Sequence, residues 1–161
     1  MLSLLHDIAD SKFHKGDEEI GPDTAGKFLK SINADEEIIE HVQQIIRHVS
    51  FKSGFDAPDF HSIELDIVQD ADRLNAIGAI GIARAFTYGG FKGRKIYNPE
   101  KEPNLNLTKE EYKSSTAPTI NHFYEKLLLL KEKMNTTTGK QLAHQRHDFM
   151  VSYLKQFYSE C

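Results

Sequence analysis

Two short stretches of this sequence combine residue types that can do chemistry. The first is Leu4-Leu5-His6-Asp7-Ile8-Ala9-Asp10. On a helix, adjacent side chains stand about 100° apart, so the His6 imidazole and the Asp7 carboxylate can turn toward one cation. Asp10 follows His6 by four residues and Asp7 by three, which puts it on the same helix edge. A mixed nitrogen and oxygen donor set suits a divalent transition metal such as Mn²⁺ or Fe²⁺, and suits Mg²⁺ less well. The competing reading is a surface helix in which a common dipeptide occurs by chance. The second stretch is Val68-Gln69-Asp70-Ala71-Asp72-Arg73-Leu74, directly ahead of an apolar run. Charges there are expected to be partly buried, and buried charge is expensive unless paired or metal-bound. Asp70 and Asp72 point about 200° apart on a regular helix, so only one of them is offered to a given metal. The other is left to pair with Arg73 or a neighbouring helix, and a structural Asp–Arg ion pair without metal explains the same residues.

Positioning such groups is work for helices, and the hydrophobic rhythm supplies them. Residues 35–49 place Ile38, Ile39, Val42, Ile45, Ile46 and Val49 at spacings of one, three and four, an amphipathic helix. Residues 63–86 read as a second helix whose later part, 76–86, is apolar nearly all round, and this predicts a buried central helix. Gly78 and Gly81 within it each cost roughly 1 kcal/mol of helix propensity. Pro118 leads into Ile120, Phe123, Leu127, Leu130 and Met134. A last helix over 138–158 presents Leu142, Phe149, Met150, Tyr153, Leu154 and Phe157 on one face. Shorter helices are expected over 2–9 and 24–32. No sustained period-two alternation appears, so the expected fold class is all-α, a compact helical bundle in one domain over 1–161. Residues 53–60 and 88–108 read as loops. The second is long for a connection, which makes it either a substrate cover or a solvated connector.

Twenty Lys plus Arg against twenty-four Asp plus Glu leave a formal net charge of −4 over 161 residues. That argues against a broad nucleic-acid surface, though not against a local basic pocket for phosphate. The single cysteine, Cys161, excludes an intrachain disulfide framework and any multi-cysteine metal site. No stretch approaches about 18 uncharged apolar residues, and the features of a signal peptide are missing, so no membrane span is expected and a cytoplasmic location is the default. Neither a P-loop pattern nor a Gly-x-Gly-x-x-Gly fingerprint is present.

Read together, the segments resemble the HD-domain metal-dependent phosphohydrolases, and within them the branch of YedJ- and YpgQ-like hydrolases. The resemblance runs through 4–12, Ser50-Phe51-Lys52, the highly specific run 67–86, and Asn121-His122-Phe123-Tyr124-Glu125-Lys126-Leu127-Leu128. It implies an all-α bundle in which a His…His-Asp…Asp signature holds one divalent metal, with Mn²⁺ first and Fe²⁺ or Mg²⁺ as alternatives. His6 and Asp7 match the central pair; Asp72 matches the last ligand, with Asp70 as second choice. Asp10 matches the acidic residue that orients or deprotonates the attacking water. The implied chemistry is hydrolysis of a phosphate ester or anhydride in a small phosphorylated substrate, usually a nucleotide. Lys12, Lys52 and Arg73 are the cations expected to meet the developing phosphoryl charge, while Lys92, Arg94 and Lys95 read as solvated surface charge first and as weaker candidates for that role second. His41 and His48 share a helix edge, so one of them either approaches the metal or a substrate phosphate, His48 being chosen for the phosphate, or is a structural histidine. Tyr88 and Phe91 either stack on a base or pin the loop, and His144, Arg146 and His147 read as a solvated or rim face. Asn75 stands where this branch leads one to expect an acid. The family's first histidine lies upstream of the His-Asp pair, whereas this sequence starts five residues before His6. The expectation is therefore a truncated enzyme, a three-ligand site, or a non-catalytic helical binding module. A missing N-terminal helix would leave apolar surface uncovered and favour a homo-oligomer.

Overall fold

Residues 5, 7–9, 14, 17–49, 60–108, 111 and 114–161 are described in the computed structural model. Among them are six α-helices and one 3₁₀ helix and no strand, which is the all-α class expected. None of these helices is long and apolar enough to cross a membrane. The chain divides into two compact units, Met1–Gln69 and Asp70–Cys161.

In the first unit, α1 (Ile20–Ser31) and α2 (Glu36–Val49) form an antiparallel pair. Helix α1 begins four residues before the expected start, with Pro22 tolerated in its first turn, where its missing N–H has no helical partner to lose. Between the helices Asn33 takes a left-handed φ of 56°, which lets the Ala34 amide donate back to Leu29 O at 3.1 Å. Leu29 packs with Leu5, Ala25, Ile39, Val42 and Ile46. On the far side of α2, Ile45 meets Leu65 and Val68 of α3 (Ile63–Asn75). Five of the six expected stripe positions turn inward to some degree, but Ile38 is 44% exposed, one position round from buried Ile39. Half of the helix expected over 2–9, and all but Phe60 of the 53–60 loop, lie outside the described residues. Of the former, Leu5 is helical and residues 7–9 form a turn, with the Ile8 amide donating to Leu5 O at 3.1 Å.

The single helix expected over 63–86 is corrected to two. Helix α3 stops at Asn75 and α4 (Gly78–Phe91) starts afresh after an extended Ile77. Gly78 takes φ 73°, which a residue inside a right-handed helix cannot hold. Arg146 Cγ lies 3.0 Å from where a β-carbon on Gly78 would be, a tight contact. Nor is 76–86 buried all round: Ile77 and Ile82 are buried, but Ile80 is 64% exposed. Helix α4 also runs past the expected end to Phe91, so the long loop starts at Lys92 rather than at 88. Near the end of α4, Gly89 lets the α5 (Thr119–Glu125) backbone come close, for a β-carbon there would strike Thr119 Oγ1.

Helix α5 gives way at Lys126 to a 3₁₀ helix (Leu127–Lys133), and α6 (Thr137–Ser159) follows. Ile120, Phe123, Leu127, Leu130 and Met134 are all buried, as their spacing predicts. The change of helix type does not disturb the pattern, because three residues per turn keeps positions three apart on one face. Fully buried Phe123 packs against Phe86 and Tyr153, with ring centroids 5.9 and 6.1 Å away. Burial of a side chain of this size stabilises by about 1.5–3 kcal/mol. On α6 the inner face is Gly139, Ala143, Met150 and Leu154, while Leu142 and Phe149, expected inside, are exposed. The loop after α4 is pinned to α5: the Thr119 and Ile120 amides donate to Lys95 O and Ile96 O, and Asn121 Nδ2 donates to Lys101 O, at 2.9–3.0 Å. These bonds also satisfy amides that open the helix without a helical partner.

Candidate functional site

The 200° separation of Asp70 and Asp72 on α3 becomes a division of labour. Asp70 is only 3% exposed. Its Oδ1 accepts from the Asn135 amide at 2.8 Å, and its Oδ2 accepts from the Thr136 amide and hydroxyl at 2.8 and 2.7 Å. Arg73 Nη1 stands 3.7 Å from Oδ1 and donates to Lys133 O. Thr136 in turn caps α6, its hydroxyl oxygen accepting from the Gly139 amide at 2.9 Å. Asp70 is therefore the anchor that joins α3 to the entry of α6, with both oxygens occupied. Asp72 is exposed and makes no hydrogen bond or ion pair among the described residues.

The other expected site residues divide as follows. Asp7 is described and exposed. His6, Asp10, Lys12 and Lys52 lie outside the described residues. Among the described residues, no three His, Cys, Asp or Glu side chains form a group that could hold a metal ion. His48 sits half-buried near the end of α2, with Nδ1 2.8 Å from Gln44 O. A carbonyl only accepts, so Nδ1 carries the proton there. Its ring, like that of His41, packs on Phe60 at 5.6 Å, and His41 Nε2 lies 3.3 Å from Glu64.

Sequence reading missed two contributors. Arg146, expected on a solvated or rim face, is half-buried and donates to Leu74 O, bracing the end of α3 from α6. His122 is the other: burial, and after it the charges of Lys126 and Arg94, push its pKa down to about 4. Thr136 carried a recognisable signal, a threonine ahead of a helical run, but nothing local names its partner in α3.

No family model matches the chain. The uncharacterized protein YpgQ of Bacillus subtilis (strain 168) is 38% identical over 162 residues, spanning 96% of this chain and 67% of YpgQ. A crystal structure of an HD-superfamily hydrolase from Bacillus thuringiensis is 42% identical with a TM-score of 0.72, covering 98% of this chain and 69% of that one. The crystal structure of B. subtilis YpgQ in complex with ADP aligns at 28% identity with a TM-score of 0.67, over 99% and 85% of the two chains.

Proposed function

We propose that this chain, which belongs to the YpgQ branch of the HD-superfamily hydrolases, hydrolyses a phosphate ester or anhydride in a nucleotide. The hydrolase family and its use of a divalent metal come with that membership; the phosphorus chemistry and the nucleotide are the proposal. The observation that carries it is the exposed Asp72 carboxylate, without a partner among the described residues, in the Asp72-Arg73-Leu74 setting, beside an Asp70 that is fully occupied. A carboxylate with no hydrogen bond or ion pair among the described residues fits a metal ligand; one that already accepts three hydrogen bonds does not. The ADP held by YpgQ supports a nucleotide as substrate.

The ligands proposed are His6, Asp7 and Asp72, for Mn²⁺ first and Fe²⁺ or Mg²⁺ second. A divalent cation supplies a water of lowered pKa and polarises a phosphoryl oxygen. Asp10 takes the proton from the attacking water at its carboxylate. Lys12 and Lys52 bring positive charge to the equatorial oxygens as the transition state develops. Arg73, held by Lys133 O and Asp70, adds positive potential at the end of α3 rather than a direct contact. With both ring nitrogens protonated, His48 would donate its Nε2–H to a substrate phosphate, because its Nδ1–H is committed to Gln44 O.

The test compares the metal content and Mn²⁺-supplemented hydrolysis of nucleoside triphosphates by the wild type with those of His6→Ala and Asp72→Asn. Both variants are expected to lose bound metal and at least about a hundredfold in rate, roughly the low end of what a catalytic group contributes. Equal metal content and no hydrolysis in all three proteins refutes the reading.

A further inference from the structure

We propose that the cleft between the C-terminal end of α4 and the entry to α5 is a binding site for the phosphate chain of an oligophosphate, whether free or carried by a nucleoside. The cleft has a volume of about 520 Å³, within the range of small-molecule sites. Lys92, Arg94, Lys95 and Lys101 all line it, and among the described residues no carboxylate does. This concentration of positive charge occurs in a chain whose net charge is −4. Lys92, Lys95 and Lys101 form no ion pair among the described residues, so their charges are open to an incoming anion. Asn98 and Thr116 add neutral donors to the same wall.

The cations project from backbone that is already fixed. Lys95 and Lys101 present their carbonyls to the Thr119 amide and to Asn121 Nδ2 of α5. Arg94 donates to Ser115 O at 2.7 Å, and its guanidinium lies 5.7 Å from the Tyr88 ring centroid. Lys92 lies over the same ring at 5.7 Å and over Phe91 at 5.5 Å. Backbone held in this way, with Arg94 and Lys92 placed on Tyr88, loses little freedom on binding. Four cations around one small volume match a chain of tetrahedral oxyanions better than a single carboxylate. The pKa of His122 is lowered first by burial and then by the charges of Lys126 and Arg94. Asp72 does not line the cleft, so this inference does not depend on the hydrolase reading.

The test is calorimetric titration of the full chain with inorganic tripolyphosphate, ADP and adenosine in EDTA, which removes the divalent metal the hydrolase reading requires. Tripolyphosphate and ADP are expected to bind saturably, one per chain, and to weaken several-fold as salt rises from low to physiological strength. Adenosine is expected not to bind. Lys95→Gln with Lys101→Gln should weaken tripolyphosphate at least tenfold without lowering the melting temperature, and Asp72→Asn should bind as the wild type does. In ¹⁵N spectra, tripolyphosphate should shift the Gly93 and Ser115 amides. No saturable binding, equal binding of adenosine, binding of single-stranded nucleic acid without binding of tripolyphosphate, or an undiminished double variant would each overturn the proposal.

Discussion

Replacing Asp70 by alanine separates the two carboxylates of α3 most sharply. The substitution removes the acceptor of two backbone amides and one hydroxyl and leaves the Arg73 guanidinium without its carboxylate. Breaking a buried charged pair by deleting one partner costs about 3–5 kcal/mol. The three donors do not add to that in full, because water can enter the polar space left behind, and the total stays at about 4 kcal/mol. At roughly 2–4 °C per kcal/mol for a chain of this size, the melting temperature should fall by about 8–16 °C. Asp72→Ala removes an exposed side chain with no partner among the described residues, so it should change stability by less than about 0.5 kcal/mol. The assay is thermal unfolding of the three metal-free proteins followed by circular dichroism, so that a bound ion does not contribute its own stabilisation. An Asp70→Ala protein that melts within about 2 °C of the wild type, or an Asp72→Ala protein that falls as far as Asp70→Ala, refutes the division between anchor and ligand.

Two further predictions follow from neighbouring geometry. A β-carbon on Gly139 would land on the Asp70 carboxylate and crowd Thr136 Oγ1, so Gly139→Ala should destabilise by about 1–3 kcal/mol in chemical denaturation, despite alanine's better helix propensity; a stabilised variant would contradict it. His122 has a folded pKa of about 4 against an ordinary 6.5. The unfolded chain therefore takes up a proton there before the folded chain does. The stability due to its neutral form is complete above about pH 6.5 and is lost as the pH falls toward about 4. At 1.36 kcal/mol per pH unit the gap amounts to about 3 kcal/mol. His122→Gln should remove that component of the slope in urea unfolding between pH 7 and about 4.5, and an unchanged slope counts against the assignment.

Much of the fold was legible because helix burial is written locally. Ile120, Phe123, Leu127, Leu130 and Met134 are inside because their spacing puts them on one face, and that held even where α5 gave way to a 3₁₀ turn. The same arithmetic placed Asp70 and Asp72 on opposite sides of α3 and left open which of them would be taken inside. The break at 76–78 escaped, because an apolar run of small residues is compatible with one helix or two. What decides it is Gly78 in a left-handed conformation with Arg146 packed against it, 68 residues on in the chain. The resemblance at 67–86 pointed to a hydrolase, yet the residues themselves did not say which aspartate was structural. Sequence by itself settled the helical class, most of the buried positions and the pair of carboxylates. Only the tertiary structure decided that Asp70 turns to Asn135 and Thr136 while Asp72 faces water, because a carboxylate is satisfied by whichever donors the fold brings to it, and those come from residues no local pattern can reach.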